Sequence, residues 1–329
     1  MKIKASIEKI PGGMMVVPLF FGAVINTIFP SAANVFGSFT GAIMTGSLPI
    51  LGVFYFCVGA TVNFKASPYI LKKGLTFLLT KVCTAAVVGL IANQLIPNQY
   101  IKNGFFAGLS VLAIVAAMNE TNVGMWMALM AQFGRKEDIG ASSIMMMESG
   151  PFLTMVTFGA TGLGHFPWQF LVGTIIPFVF GMVLGNLDGE MRGFFGNGVN
   201  VLIPFFSFAL GAGLNLTNVA KAGYLGIFLA ILVIVTTGST LFLADKFTGG
   251  NGTAGIAAAS SAGACATVPA AMAAANHKFA IMAPDATALV VASVVVTSIV
   301  TPFLTAWWSR RIKRRQMLLK SNMDHLTNI

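Results

Sequence analysis

The sequence predicts an all-α integral membrane protein: ten transmembrane helices in two five-helix inverted repeats, with helices 4 and 9 broken. Three observations lead there. Only 9% of the 329 residues are Asp, Glu, Lys or Arg, while 56% are hydrophobic, against about 25% charged in a soluble domain. Apolar stretches long enough to cross a bilayer recur along the whole chain. Four short motifs of the first half return, in order, in the second. A mean hydropathy of +0.82 leaves too little polar surface to cover a water-soluble globule. Disordered chains, disulfide scaffolds and ordinary cytosolic enzymes are excluded on the same grounds.

A transmembrane helix needs about 20 mostly apolar residues. On that measure the spans fall at about 12–29, 45–64, 74–95, 105–131, 139–163, 168–186, 200–217, 223–244, 253–275 and 285–308. Their connections are short and rich in Gly, Asn and Pro, as in Ile96-Pro97-Asn98 and Gly249-Gly250-Asn251-Gly252. Of the 20 Lys and Arg, 16 fall on one side of this arrangement: Lys2, Lys4, Lys9, Lys65, Lys72, Lys73, Arg135, Lys136, Arg192, Lys246 and the six from Arg310 to Lys320. Lys102, Lys221 and Lys278 fall on the other side, and Lys81 lies inside a span. That asymmetry puts both termini in the cytoplasm. The basic tail then reads as an anchor on anionic lipid; no aromatic-basic face accompanies it, as nucleic acid would require. The basic start, apolar run and Ser31-Ala32-Ala33 have the outline of a signal peptide, but the repeat needs that segment in the mature chain. Cys57, Cys83 and Cys265 lie in apolar stretches at no metal-site spacing and suit buried thiols.

The repeat pairs Val17-Pro18-Leu19-Phe20-Phe21-Gly22 with Ile176-Pro177-Phe178-Val179-Phe180-Gly181, and the segment Phe56 to Asn63 with Phe208 to Asn215. Ala107-Gly108-Leu109 pairs with Ala254-Gly255-Ile256, and Pro151-Phe152-Leu153-Thr154 with Pro302-Phe303-Leu304-Thr305. The offsets are 159, 152, 147 and 151 residues. Five spans per repeat is an odd number, so residues 1–164 and 165–329 insert with opposite topology. Inverted repeats of this kind mark secondary transporters, with substrate sites at the repeat interface near the midplane.

Polar groups at membrane depth need internal partners and are candidates for function. The fourth span is interrupted by Asn119-Glu120-Thr121-Asn122, and the ninth by Ser260-Ser261 and, further on, Thr267-Val268-Pro269. Pro269 suits the first turn of a new helix and Thr267 its N-cap. Two half-helices would then aim their N-termini at the middle of the protein, forming an anion site from backbone amides and helix dipoles. Many of residues 253–275 are Gly, Ala or Ser, which lets backbones approach closely. The candidate substrate ligands are Asn119, Thr121, Asn122, Ser260, Ser261 and Thr267. The candidate proton-coupling groups are Glu148, Glu120 and Lys81, because a carboxyl in a dry site is held most cheaply in its protonated form. Lys81 stands either to pair with a glutamate or to snorkel to the cytoplasmic face. Asn63 and Asn215 suit helix caps, and Thr154 and Thr305 suit bonds back to their own helices. His277 and Asp285 suit solvated positions, Met145 to Met147 packing, and Trp307-Trp308 an interfacial belt.

Taken together, several stretches resemble the 2-keto-3-deoxygluconate permease family over almost the whole chain. They are Ile7-Glu8-Lys9-Ile10-Pro11-Gly12-Gly13-Met14-Met15, Phe105-Phe106-Ala107-Gly108-Leu109-Ser110, Glu148-Ser149-Gly150-Pro151, Gly185-Asn186-Leu187-Asp188, Ile203-Pro204-Phe205-Phe206 and Gly252-Thr253-Ala254-Gly255-Ile256-Ala257. The resemblance implies a bacterial cytoplasmic-membrane importer that takes in a sugar-acid anion with protons and needs no cofactor. It also implies the fold of the bile-acid-type symporters, with spans 3–5 and 8–10 as a core and spans 1, 2, 6 and 7 as a panel. A sodium-coupled organic-anion symporter on the same fold, with Glu120, Asn119 and Thr121 as cation ligands, is the alternative. An intramembrane transferase is a remote one, since His165, His277 and His325 all lie in loops or the tail.

Overall fold

The computed structural model describes residues 2–7, 13–63, 68–214, 216 and 223–327. Among them the regular elements are helical, apart from one isolated bridge between Tyr100 and Ser110. In chain order the principal helices are α1 (Gly13–Ile28), α2 (Ser47–Thr61), α3 (Pro68–Leu95), α4 (Val111–Met118), α5 (Val123–Phe133), α6 (Pro151–Ala160), α7 (Trp168–Leu187), α8 (Gly189–Gly211), α9 (Gly223–Phe247), α10 (Thr253–Ala257), α11 (Val268–Ala275) and α12 (Ala283–Thr327). The chain is an all-α, multi-pass integral membrane protein. Five of these helices (α3, α7, α8, α9 and α12) are long and apolar enough to cross a bilayer unaided, and α2 with the preceding Ser38–Thr45 makes a pair bent by 68°. The expected fourth and ninth spans are divided into short helices by their polar breaks.

Several boundaries differ from the expected ones for local reasons. The seventh span, expected at 200–217, begins at Gly189, where the Asp188 side chain caps the helix by accepting from the Glu190 N–H (2.8 Å). The fifth span is not continuous: it breaks at Ser149–Gly150, where Gly150 has φ +99°, and restarts on Pro151. The tenth runs on as one 45-residue helix to Thr327. Asn215, Lys9, Lys65 and Lys221, used above as a cap and as topology markers, lie outside the described residues.

Two groups of helices pack separately before they meet. In one, α1 lies on α8, and α2 on both α7 and α8. Glycines set these approaches. A Cβ on Gly181 would lie 1.9 Å from the Phe56 carbonyl oxygen, and one on Gly22 would lie 2.3 Å from that of Phe208. A Cβ on Gly59 would lie 2.0 Å from the Phe178 oxygen, and one on Gly211 would lie 1.9 Å from that of Leu19. Each contact is thus the counterpart of another at the matching place in the repeated motifs. The Asn26 amide donates to Leu214 O (3.0 Å), as Asn186 does to Val62 O (2.8 Å). The second group is built from α3, α4, α9 and α12, with the broken helices between them.

Three side chains depart from expectation here. Lys73, counted among the loop cations of the cytoplasmic side, is fully buried between Asp138 (2.8 Å) and Asp245 (2.7 Å). An unpaired lysine could not be held there. Cys83 is exposed, on the face of α3 that borders an apolar groove with α9, whereas Cys57 and Cys265 are buried. Asp285 is partly covered and accepts from the Tyr100 hydroxyl (2.6 Å). Burial and that bond push the Tyr100 phenol up to about 12.

Candidate functional site

The two broken spans cross. Their links, residues 119–122 and 258–263, touch backbone to backbone where the Ala262 N–H donates to Glu120 O (3.2 Å). Side chains expected to bind substrate mostly hold this crossing together. The Ser261 hydroxyl donates to Ala117 O (2.8 Å), meeting one of the carbonyls left open at the end of α4. Ser261 N–H in turn donates to Thr297 Oγ1 (3.2 Å) on α12. Ser260 Oγ accepts from the Asn122 N–H (3.2 Å), and Asn122 Oδ1 caps α5 by accepting from the Met125 N–H (3.1 Å). Asn119 Nδ2 donates to Thr154 Oγ1 (2.9 Å), so Thr154 looks across to the crossing and not back along its own helix.

Lys81 neither snorkels nor bonds directly to a glutamate. Fully buried, it donates to Ala258 O (3.1 Å) and Ser260 O (2.6 Å). That position places a cation at the carbonyl end of α10, the favourable pole of the helix dipole. Glu148 sits at the opposite pole, its carboxylate accepting from the Thr121 N–H just before α5. Glu120 is fully buried beside the Gly150 backbone amide, and among the described residues neither of its carboxylate oxygens, nor Asn119 Oδ1, makes a hydrogen bond of regular geometry. Lys81 and Glu148 are both within electrostatic reach of Glu120.

The expected N-cap at Thr267 is corrected. A tight 3₁₀ turn over 264–267 already leads into α11, so the helical path begins at Gly263–Ala264. Thr267 is inside it, and its hydroxyl donates back to Ala264 O (2.7 Å). The anion-attracting end of this element therefore lies at 263–264, not at 267–270.

That end and the start of α5 meet at one cavity of about 280 Å³, lined by Met15, Phe54, Asn122, Phe206, Gly263 and Ala264 among others. Of the six expected ligands only Asn122 lines it; Asn119, Thr121, Ser260 and Ser261 lie behind it and brace the crossing. The walls come from both helix groups, and Met15, Phe54 and Phe206 were not anticipated, since an apolar side chain in an apolar span carries no signal. Tyr55 was also missed. Its hydroxyl lies 3.2 Å from Thr267 Oγ1, joining α2 to the broken ninth span. A lone hydroxyl in Phe54-Tyr55-Phe56-Cys57 was the available clue.

The family model described as 2-keto-3-deoxygluconate permease matches residues 4–314. The chain belongs to that family. It is 56% identical over 317 residues to the 2-keto-3-deoxygluconate permease of Bacillus subtilis (strain 168), covering 96% of each chain. It is 51% identical over 316 residues to that of Escherichia coli O9:H4 (strain HS), covering 96% of this chain and 97% of the relative. As a member of the 2-keto-3-deoxygluconate permease family, the chain is a transporter and not an enzyme.

Proposed function

We propose that this chain carries 2-keto-3-deoxygluconate or a close sugar acid into the cytoplasm together with protons. One observation supports this above the rest: two helical N-termini, at Asn122 and at Gly263–Ala264, border a single cavity with Glu148 hydrogen-bonded beside one of them. The amides and dipoles there attract a carboxylate without a cationic side chain. The apolar walls suit a deoxy carbon, leaving Asn122 for a hydroxyl or keto oxygen. Glu148 protonated can share the site with an anion; ionised, it repels one.

The broken spans belong, in this reading, to a ten-span protein whose halves, 1–164 and 165–329, insert with opposite topology. The paired glycine contacts support it, because chance similarity of apolar segments would not reproduce matched three-dimensional contacts. Both termini lie in the cytoplasm of a bacterium whose inner membrane holds the protein; the 16-to-3 charge asymmetry supports this.

Sodium coupling is the second reading. It is favoured by three buried oxygens that make no regular hydrogen bond among the described residues, Asn119 Oδ1 and both of Glu120, since oxygen ligands suit a hard cation. Uptake of labelled 2-keto-3-deoxygluconate into proteoliposomes separates the two. Accumulation is expected with an inward proton gradient in sodium-free buffer. Accumulation with a sodium gradient alone, and none with protons, reverses the assignment.

A further inference from the structure

A second cavity, of about 400 Å³, lies between the same two helix groups; its lining includes Leu51, Tyr55, Pro151, Gln169, Thr174 and Ala271. Adjacent residues of α2 divide the two spaces: Phe54 lines the first cavity and Tyr55 the second, and both side chains are buried. The second cavity is bordered by Leu48 and Gln169, near the starts of α2 and α7. The first is bordered by Gly13 and Met14, at the start of α1. With the N-terminus cytoplasmic, the second faces outward and the first inward.

Tyr55 lines the second cavity, and its hydroxyl meets Thr267, which bonds to the carbonyl of Ala264 in the wall of the first. Its ring lies against the backbone of Gly150, where a Cβ would fall 2.5 Å from Cζ. Its hydroxyl meets Thr267 in the second half of the broken ninth span. Gly150, at φ +99°, immediately precedes α6, and Glu148 is two residues before it. One residue of α2 therefore touches both the break of the fifth span, at Gly150, and the second half of the broken ninth, at Thr267.

We propose that Tyr55 is the seal between the cavities, and that its withdrawal from Gly150 and Thr267 opens the outer one, an access vestibule, to the substrate site. This rests on the chain being an alternating-access carrier. The contact suits a reversible seal. Thr267 keeps its bond to Ala264 O when Tyr55 leaves, so opening strands no buried hydroxyl on the core side. A neutral hydrogen bond contributes about 1 kcal/mol, small enough to be broken in every cycle.

The test is thiol accessibility in intact cells, with the three native cysteines replaced by alanine. A membrane-impermeant methanethiosulfonate is added outside. Gln169→Cys reports on the vestibule and Ala264→Cys on the site, with Met14→Cys as a second inner reporter. Gln169→Cys should react whatever residue 55 is. The inner reporters should react at least about tenfold faster with Tyr55→Ala, and about fivefold faster with Tyr55→Phe, which loses only the bond to Thr267. A Gln169→Cys thiol that does not react from outside overturns the vestibule. Inner reporters unchanged in both Tyr55 variants overturn the seal. Sugar-acid uptake by the same cells with Tyr55 intact is measured separately: faster inner labelling without any such uptake leaves the seal standing and removes the substrate.

Discussion

Glu148 and Glu120 are both buried at the crossing, yet their surroundings differ in kind. Glu148 accepts from an amide at the start of a helix, while Glu120 has the Gly150 amide beside it but no hydrogen bond of regular geometry among the described residues. An ionised Glu148 about 6 Å from a bound carboxylate, at an effective dielectric of about 20, costs about 3 kcal/mol, roughly a hundredfold in affinity. If the substrate carboxylate binds there as proposed, substrate and proton favour each other's binding by the same factor. Glu148→Gln imitates the protonated form. It should bind substrate with little pH dependence and exchange it across the membrane, but should fail to concentrate it. Counterflow and gradient-driven uptake in the same proteoliposomes check this, and accumulation by the variant would pass the role to Glu120. Ser261 offers a second test. Ser261→Ala removes a donor to Ala117 O and should lower stability by about 1–3 kcal/mol, because that carbonyl is buried; thermal unfolding in detergent measures it.

Among the elements, α1, α2, α7 and α8 approach as closely as glycine allows, and this makes their packing unusually sensitive. In Gly181→Ala the new methyl would fall 1.9 Å from the Phe56 carbonyl oxygen, so α2 and α7 must separate. A loss of about 1–3 kcal/mol is expected. Gly52→Ala, on the same α2, meets nothing within 4 Å and should leave stability unchanged or slightly raised, since alanine is the better helix former. Melting temperatures of the two variants decide the point. Part of this was legible beforehand: Gly22, Gly59, Gly181 and Gly211 all sit in the repeated motifs. The break of the fifth span was not, because Ser149-Gly150-Pro151 reads equally as a kink. Thr267 was misjudged for a related reason. A Thr-Val-Pro sequence marks a helix start locally, but the start moves upstream once residues 264–267 find a turn of their own.

At the scale of the whole molecule, the buried cluster of Lys73, Asp138 and Asp245 ties α3 to the segment after α5 and to the end of α9. Tyr69 donates to Asp138, and the Gly252 N–H donates to Asp245 (2.7 Å), which draws in the start of α10. Lys73→Met would leave two carboxylates without their cation. It should destabilise the protein by about 3–5 kcal/mol, read as a lower melting temperature and reduced membrane yield. Adding Asp138→Asn and Asp245→Asn to that variant should restore much of the loss; no recovery would mean that Lys73 acts by packing alone.

Composition and hydropathy by themselves determined that the chain is a helical membrane protein, and the order of its motifs pointed to a repeated transporter. Those properties depend on residues near one another in sequence: the length of an apolar run, a polar break, a proline. The polar break at Asn119 to Asn122 was legible because four such residues in a row cannot face lipid. What each of them does was decided only by the fold. Ser261 finds Ala117 O, Lys81 finds Ala258 O and Ser260 O, and Tyr55 finds Thr267 across separations of 144 to 212 residues. A hydroxyl or an ammonium group is recognisable in a sequence as something that must be satisfied at depth. Which distant partner satisfies it depends on how the helices close around one another, and no local pattern encodes that.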